Sequence, residues 1–431
     1  MYMVKPVRVL WVLGIAVVGL LPLVGIASAS VNDVSTERGG SIIVFPKVVW
    51  DGERDTIIQI GNMSNSMVHA HCFYVNAAPV NPSLPPSSTN PPQWNETDFD
   101  IWLTRQQPTH WVASLGRRWG SFSGLDGNAG LSPGLVPPVP LGFIGELKCI
   151  QVDESGTPLR ANALKGEATL RNLAGDVSEY NAVAFQGNPD MTASDPRSTD
   201  PSSDLVLDLT TATASDTGNN TGMYSACPDT LLLNHFAELS PDMVIDQIGI
   251  CAPVCVAGPH TGGPCMPSTA STDCGIGGLC GGCPVSTELT LVPCQEDFEN
   301  QQGAAVTVQF LIINEFEQAF STSTTVSCYM NLPLGLIGTA GNNSFTYSVL
   351  GTLSAYSRIT PATGHGGVIG VAEEFRGATS NPPLVGAVSG FGPKTAAAFN
   401  LEIEGNRFDA ATNGKGDSRP GVTDHIIIPL P

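Results

Sequence analysis

Hydrophobic and polar positions along this chain alternate mainly with a period of two, and no long stripe of helical period interrupts the pattern. In Val68 to Val75 one set of alternate positions carries Val68, Ala70, Cys72 and Tyr74, and the other carries His69, His71, Phe73 and Val75. That is the signature of a strand with two distinct faces, and the Cys72 set is the expected core face. Asp98 to Leu103 alternates in the same way, with Phe99 and Ile101 on one side and Trp102 on the other with Asp98 and Asp100. Between such runs, Gly61 to Ser66 is a polar turn of the kind that joins neighbouring antiparallel strands. Prolines gather in three long stretches, Ala78 to Gln93, Gly130 to Pro140 and Pro189 to Ser203, which read as surface excursions. The best helical candidates, Asp242 to Ile248 and Ala396 to Leu401, are short enough to be strands.

The same plan runs through the chain twice. Ser41 to Pro46 has a counterpart in Glu288 to Pro293, Asp55 to Ile60 in Val306 to Leu311, and Val68 to Asn76 in Thr324 to Asn331. Gly142 to Gly145 matches Gly367 to Gly370, Phe185 to Asn188 resembles Ile403 to Asn406, and Asp229 to Leu233 lines up with Asp424 to Ile428. Six weak matches in one order argue for tandem duplication. The expected organisation is a signal peptide (1–29), a first β-sandwich (39–238), a Cys/Gly/Pro-rich insert (251–284) and a second β-sandwich (285–431). A hydrophobic stretch at Ile426 to Leu430 predicts that the final strand is tucked into a sheet.

Composition narrows the setting. With 47 glycines, 34 prolines and only 13% charged residues, the chain favours short strands and turns. Its net charge of −20, from 19 Lys plus Arg against 39 Asp plus Glu, opposes nucleic-acid binding and attraction to anionic membranes. Lys5 and Arg8 precede an apolar stretch from Val9 to Ile26, and Ala27-Ser28-Ala29 is a small-x-small cleavage motif. Cleavage after Ala29 is the natural reading, and an uncleaved anchor is the alternative.

Eleven cysteines in an exported chain read as disulfides. Cys72 and Cys149 are the pair available within the first copy. Cys328 takes the Cys72 place in the second copy, where Glu374 replaces Cys149, so Cys294 is its nearest candidate partner. Cys251, Cys255, Cys265, Cys274, Cys280 and Cys283 then pair within the insert, which cannot build an apolar core of its own. Cys227 is left over.

Short alternating strands, frequent turns and a disulfide per domain point to an all-β chain of two tandem antiparallel, immunoglobulin-like sandwiches with a disulfide-rich insert between them. Through Thr104 to Trp111, Val371 to Phe375 and Asn314 to Gln318 the chain resembles a group of exported bacterial proteins with tandem immunoglobulin-like domains. The resemblance spans both copies and transfers no catalytic or binding residue.

Four constellations carry possible chemistry. His69 and His71, two apart on a strand, point the same way and can place two imidazoles on one metal, with a third ligand from His110, Asp98 or Asp100. The other reading is a solvated strand face. Trp94, Trp102, Trp111 and Trp119, interleaved with Arg105, His110, Arg117 and Arg118, suit a sugar- or peptide-binding platform, or else a core with a loop pinned to it. Cys280 and Cys283, with Cys251 and Cys255 upstream, match a four-thiolate zinc site superficially, but export and an even count favour disulfides. Asp126 to Asn128 and Asn413 to Asp417 offer oxygens without the spacing of a calcium loop and read as turns.

Signatures of serine hydrolases, zinc proteases, phosphate loops and dinucleotide-binding folds are missing. Glu373 and Glu374 face opposite ways on a strand and read as a solvated strand end. The expectation is therefore an extracytoplasmic, secreted or cell-surface protein, non-enzymatic and without a cofactor. It would act in structure, adhesion or binding toward a cell-surface protein or glycan, with neither nucleic acid nor, once the signal is removed, membrane as partner. The alternative is a metal-dependent extracellular hydrolase or carbohydrate-binding protein built on His69, His71 and the tryptophan-rich region.

Overall fold

The computed structural model describes residues 34–81, 89–118, 133–172, 177–187, 224, 227–228, 230–238, 240–242, 255–260, 263, 265, 269–280, 283–294, 304–338, 343–362, 367–376 and 395–404. The expected signal peptide, Asp126 to Asn128, Asn413 to Asp417 and the closing strand at Ile426 to Leu430 lie outside these residues.

The described chain is all-β and antiparallel, with short helical turns at Ala270–Asp273 and Tyr347–Leu350. Its first half supplies β1 (Val34–Ser35), β2 (Ile42–Trp50), β3 (Arg54–Asn62), β4 (Val68–Asn76), β5 (Asn95–Leu103), β6 (Pro108–Val112), β7 (Phe143–Val152), β8 (Leu164–Asn172), β9 (Val177–Asn181) and β10 (Val183–Phe185). The order is β5-β4-β7-β2-β3-β8-β9, with β10 beside β2 and β6 beside β3. The β2–β3 link is a hairpin with one register pair, Trp50 to Asp55, so the sheet turns back on itself there. Ile43, Phe45, Cys72, Phe99 and Leu147 from one side then share a core with Ile58, Ile60, Trp111, Ala168 and Leu170 from the other. The polar turn after β3 therefore does not join neighbours: β4 pairs with β5 and β7, whereas β3 pairs with β6 and β8.

The rest comprises β11 (Thr230–Phe236), β12 (Ser240–Asp242), β13 (Cys255–Ala257), β14 (Leu279–Cys280), β15 (Cys283–Pro293), β16 (Ala305–Asn314), β17 (Ala319–Ser327), β18 (Met330–Pro333), β19 (Ser354–Pro361), β20 (Val368–Arg376), β21 (Thr395–Asn400) and β22 (Glu402–Glu404). One sheet runs β17-β16-β19-β11-β22 and the other β12-β15-β20-β21, with β18 beside β15. Leu231, Val308, Phe310 and Ile359 from the first meet Leu289, Leu291 and Ala372 from the second in one core. The candidate helix at Ala396 to Leu401 is in the main strand β21.

Segments matched as a repeat have like strand pairings at the first strands and lose them later. β2 and β15 hold like places, each paired antiparallel along much of its length with a later strand, β7 and β20 respectively. The Val68–Asn76 match is overturned: β4 lies beside β7, whereas residues 324–327 end β17 and pair with β16, and the place beside β20 goes to β21. Likewise Phe185 ends a strand on β2, while Ile403 lies beside β11. Short period-two segments look alike whatever their neighbours, which is why such matches extend beyond true equivalence. The boundary drawn at 238 does not follow the sheets either. β11, placed by sequence in the first copy, sits between β19 and β22, with Leu231 and Leu233 in the second core.

Disulfides lock several of these elements. Cys72 and Cys149 are directly opposed across β4 and β7 and are bonded. Cys294 is bonded to Cys227, so the expected Cys294–Cys328 bond is not made. Cys227 and Cys294 lie together with Tyr329 and Ile369 in a buried cluster, while Cys328 follows β17 at φ 61° with its N–H on the Ala304 carbonyl. In the insert, Cys255 bonds Cys274 and Cys265 bonds Cys280, beside the small β13–β14 pair. Cys251 lies outside the described residues, and of Cys283 only the strand position in β15 is described. Among the described residues no helix is long and apolar enough to cross a membrane. The disulfides fit an oxidising, extracytoplasmic setting.

Candidate functional site

Two clusters of ionisable side chains emerge, one enclosed and one open. The enclosed cluster begins at a defect in β2. Pro46 has no N–H for a ladder, and the β2–β7 register shifts between Phe45 and Val48, as expected where proline falls inside a central strand. The Tyr180 hydroxyl fills the gap, accepting from the Lys47 N–H at 3.2 Å and donating to the Lys47 carbonyl. The bulge sends the Lys47 side chain into the other half of the molecule, fully buried, where Nζ meets Glu288 at 2.5 Å and Glu373 at 2.8 Å. Arg54 Nη1 contacts the same two carboxylates at 3.1 Å each, and its Nε bonds Asp51 at 2.9 Å. Asn331 donates to Glu288 at 2.8 Å, and the Arg54 guanidinium lies 5.8 Å from the Phe375 ring centre.

Burial alone would neutralise these groups. It pulls Arg54 downward, but Glu288, Glu373 and Asp51 outweigh it and hold the guanidinium above its usual range. Burial likewise raises Glu288, and the charges of Lys47 and Arg54 more than reverse this, holding the carboxyl well below the ordinary range. Glu373 is 2% exposed and Glu374 is buried as well, so neither is the solvated strand end expected from sequence. Around the cluster, Asn181 and Asn400 exchange bonds of 2.9 and 2.7 Å, and Tyr329 donates to the Gly145 carbonyl at 3.3 Å. An apolar layer with Ile42, Val44 and Phe185 from one half and Val292 and Ile369 from the other completes the junction.

The open cluster lies on the far face of β4 and β5. Register places His69 opposite Trp102 and His71 opposite Asp100. The His69 ring stacks on Trp102, centres 3.7 Å apart and planes at 8°, and His71 meets Phe73 edge-on at 4.6 Å. Asp100 Oδ1 is 2.8 Å from His69 Nε2 and 2.9 Å from His71 Nδ1, and Asp98 is 3.7 Å from His71 Nε2. On its other side His69 Nδ1 reaches the Asp153 carbonyl at 2.9 Å. That carbonyl is fixed by a tight turn in which the Asp153 carboxylate accepts from the Ser155 and Thr157 N–H groups and the Ser155 hydroxyl. Partial burial raises the Asp100 carboxyl, but the hydrogen bonds and charges of His71 and His69 outweigh it and lower the pKa.

The sequence placed His69 and His71 on one face of their strand and Asp98, Asp100 and Trp102 on one face of another, and the structure brings the two faces into contact. It does not add His110, which lies in β6 opposite Gln59. His69 is 11% exposed in its side chain and bonded at both nitrogens, which is not the solvated face the sequence allowed. The four-tryptophan platform does not form. Trp111 is buried in the first core and donates to the Tyr74 hydroxyl at 2.5 Å, Trp102 has His69 on its face, Trp94 is only partly buried beside a separate apolar layer, and Trp119 lies outside the described residues. The enclosed cluster was missed entirely. Its only sequence signal was a lysine after a proline inside an apolar strand.

Among the described residues the one group of three potential metal ligands with donor atoms mutually within 4.8 Å is Cys255, Cys265 and Cys274. All three sulfurs are in disulfides, so the thiolate zinc reading of the insert lacks its ligands there. No family model matches the chain, and no curated protein does. Among solved structures, the cowpea mosaic virus top component, a naturally occurring empty particle, is similar over 83% of this chain and 92% of that chain at 10% identity. Its TM-score of 0.17 is too low to inform fold or function.

Proposed function

We propose that this chain is an exported, non-enzymatic structural or binding protein, built on an immunoglobulin-like duplication whose halves act as one body and present a face to a partner at the cell surface. The observation that carries the reading is the enclosed cluster, in which two cations from one half are neutralised by two carboxylates from the other. Charges so placed are closed to substrate, and their main effect is to fix one mutual arrangement of the halves. Buried disulfides suit the same role in an oxidising compartment. A protein partner fits better than a glycan, because Trp111 is in the core and Trp102 is covered by His69.

The test is expression of the full chain with its own N-terminus in a bacterial host. The expected product is recovered outside the cytoplasm, begins at Ser30, unfolds in one transition and turns over none of a panel of ester, glycoside and peptide substrates. Cytoplasmic retention, or turnover that disappears with Asp100→Asn, would overturn the reading.

A further inference from the structure

A strand at the edge of a sheet exposes unpaired N–H and C=O groups to any other chain, and proteins blunt such edges with charge, proline, shortness or a cover. Among the described residues every outer strand but one is treated in this way. β5 carries Glu96, Asp98 and Asp100. β9 and β21, outer strands of different sheets, cover each other through the Asn181 and Asn400 bonds. The outer strands β1, β6, β12, β13, β14, β18 and β22 are at most five residues long. β17 is the exception: nine residues with neither charge nor proline, paired among the described residues with β16 alone. Two bonds at the ends of the β16–β17 pair, Asn314 N–H to the Gln318 carbonyl and Cys328 N–H to the Ala304 carbonyl, set the alternation along it. Even-numbered residues of β17 therefore bond β16, and the N–H and C=O groups of Ser321, Ser323 and Thr325 point out from the edge.

We propose that β17 is the seam of a homodimer, where a second copy of this chain adds its own β17 antiparallel about a two-fold axis at Ser323. In that register Ser323 meets Ser323 and Ser321 meets the second copy's Thr325, so the outward N–H and C=O groups satisfy one another in both directions. The side chains of Ala319 to Ser327 are self-complementary about the same point. Phe320 falls opposite Val326 and Thr322 opposite Thr324 on the inner face, while hydroxyl meets hydroxyl on the outer one. The outer face is held in order by the Thr307 and Thr325 hydroxyls, 2.9 Å apart. Charge favours the same occupant. At a net charge of −20 two copies repel over most of their surface, and pairing through β5 or β22 would set carboxylates against carboxylates. β17 is the long edge that two copies can share without that cost. Pairing there joins the β17-β16-β19-β11-β22 sheets of two molecules into one continuous sheet. This assembly goes beyond the proposed binding role and does not depend on it.

The experiment is sedimentation velocity on the full chain with disulfides intact, between about 1 μM and 1 mM, with amide hydrogen exchange read along β17. The expected result is a mass that rises with concentration from one chain to two. Exchange at Ser321, Ser323 and Thr325 should slow as it does so, while Thr322 and Thr324, already bonded to β16, change little. Ser323→Glu sets two carboxylates together at the axis, and Ser323→Pro removes the N–H there from both copies. Each should stay monomeric over the whole range. Because proline can disturb the strand itself, Ser323→Glu, at an exposed side chain, keeps the test valid if Ser323→Pro fails to fold. Ser323→Ala retains the main-chain pairing and should dimerise like the parent. A parent chain that is monomeric throughout would overturn the seam and leave the edge to a strand from a different protein. A dimer unchanged in Ser323→Glu would overturn it in favour of another face, and neither outcome touches the proposed non-enzymatic role.

Discussion

Two groups of charged side chains, built from similar chemistry, serve opposite purposes in this molecule. Lys47, Arg54, Glu288 and Glu373 are drawn from both halves and largely closed off from water, whereas His69, His71, Asp98 and Asp100 come from two adjacent strands and leave the two carboxylates exposed. In the first, each charge depends on partners far away in sequence, so the group can exist only in the assembled fold. In the second, register between neighbouring strands suffices. Location, rather than residue type, decides whether such a group fixes the architecture or is available for exchange.

Removing one member of the enclosed group is the strongest way to break that contrast. Glu373→Ala leaves Lys47 and Arg54 buried beside one carboxylate fewer and is expected to cost about 3–5 kcal/mol in urea unfolding. A loss below about 1 kcal/mol would mean that solvent reaches the cluster after all. The disulfide beneath the open group comes next. Replacing Cys72 and Cys149 together by alanine is expected to cost about 2–4 kcal/mol, and calorimetry should still show a single transition because the halves share a buried apolar layer.

A third test separates pH effects on enclosed groups. Glu288 has a lowered folded pKa, so its contribution is present above its unfolded value near 4.5 and is lost as pH falls below that. His235, buried against Ser357 and lowered by that burial to about 4, adds a second loss as pH falls from about 6.5 toward 4. Glu238 has the opposite sign. Burial raises it to about 7 despite bonds from Thr287 and Ser286, so its neutral form is favoured and stability is lost as pH rises from about 4.5 through 7. Glu238→Gln should abolish the decline on the alkaline side and leave the acid side unchanged, as read by chemical denaturation from pH 4 to 8. The smallest effect belongs to the open group. Asp98→Asn, at a side chain largely in water, should shift stability by less than about 0.5 kcal/mol, and a larger shift would place Asp98 among the structural members.

What the sequence made legible was whatever depends on period two. The faces of β4 and β5 and the grouping of Trp102 with Asp98 and Asp100 follow from alternation within single strands, and the Cys72–Cys149 pair from its being the one available in its copy. Alternation does not say which strand lies alongside. Hence the placement of β11, the strand beside β20 and the Cys227–Cys294 bond went the other way, each decided by pairing between distant segments. Lys47 and Glu373 were hidden for the same reason. A buried charge is recognisable only through its partner, and here the partners are more than three hundred residues apart.

The position of β11 also bears on how the chain is made. A polypeptide delivered N-terminus first presents Leu231 and Leu233 long before Ile359 and Ile403, the residues opposite Leu231 in the finished sheet. Until those arrive, β11 is an apolar strand with neither neighbour, and pairing over such separations is slow and prone to aggregation. The later half therefore matures only near the end of synthesis. Until then the already emerged Thr230–Phe236 segment is open to mispairing.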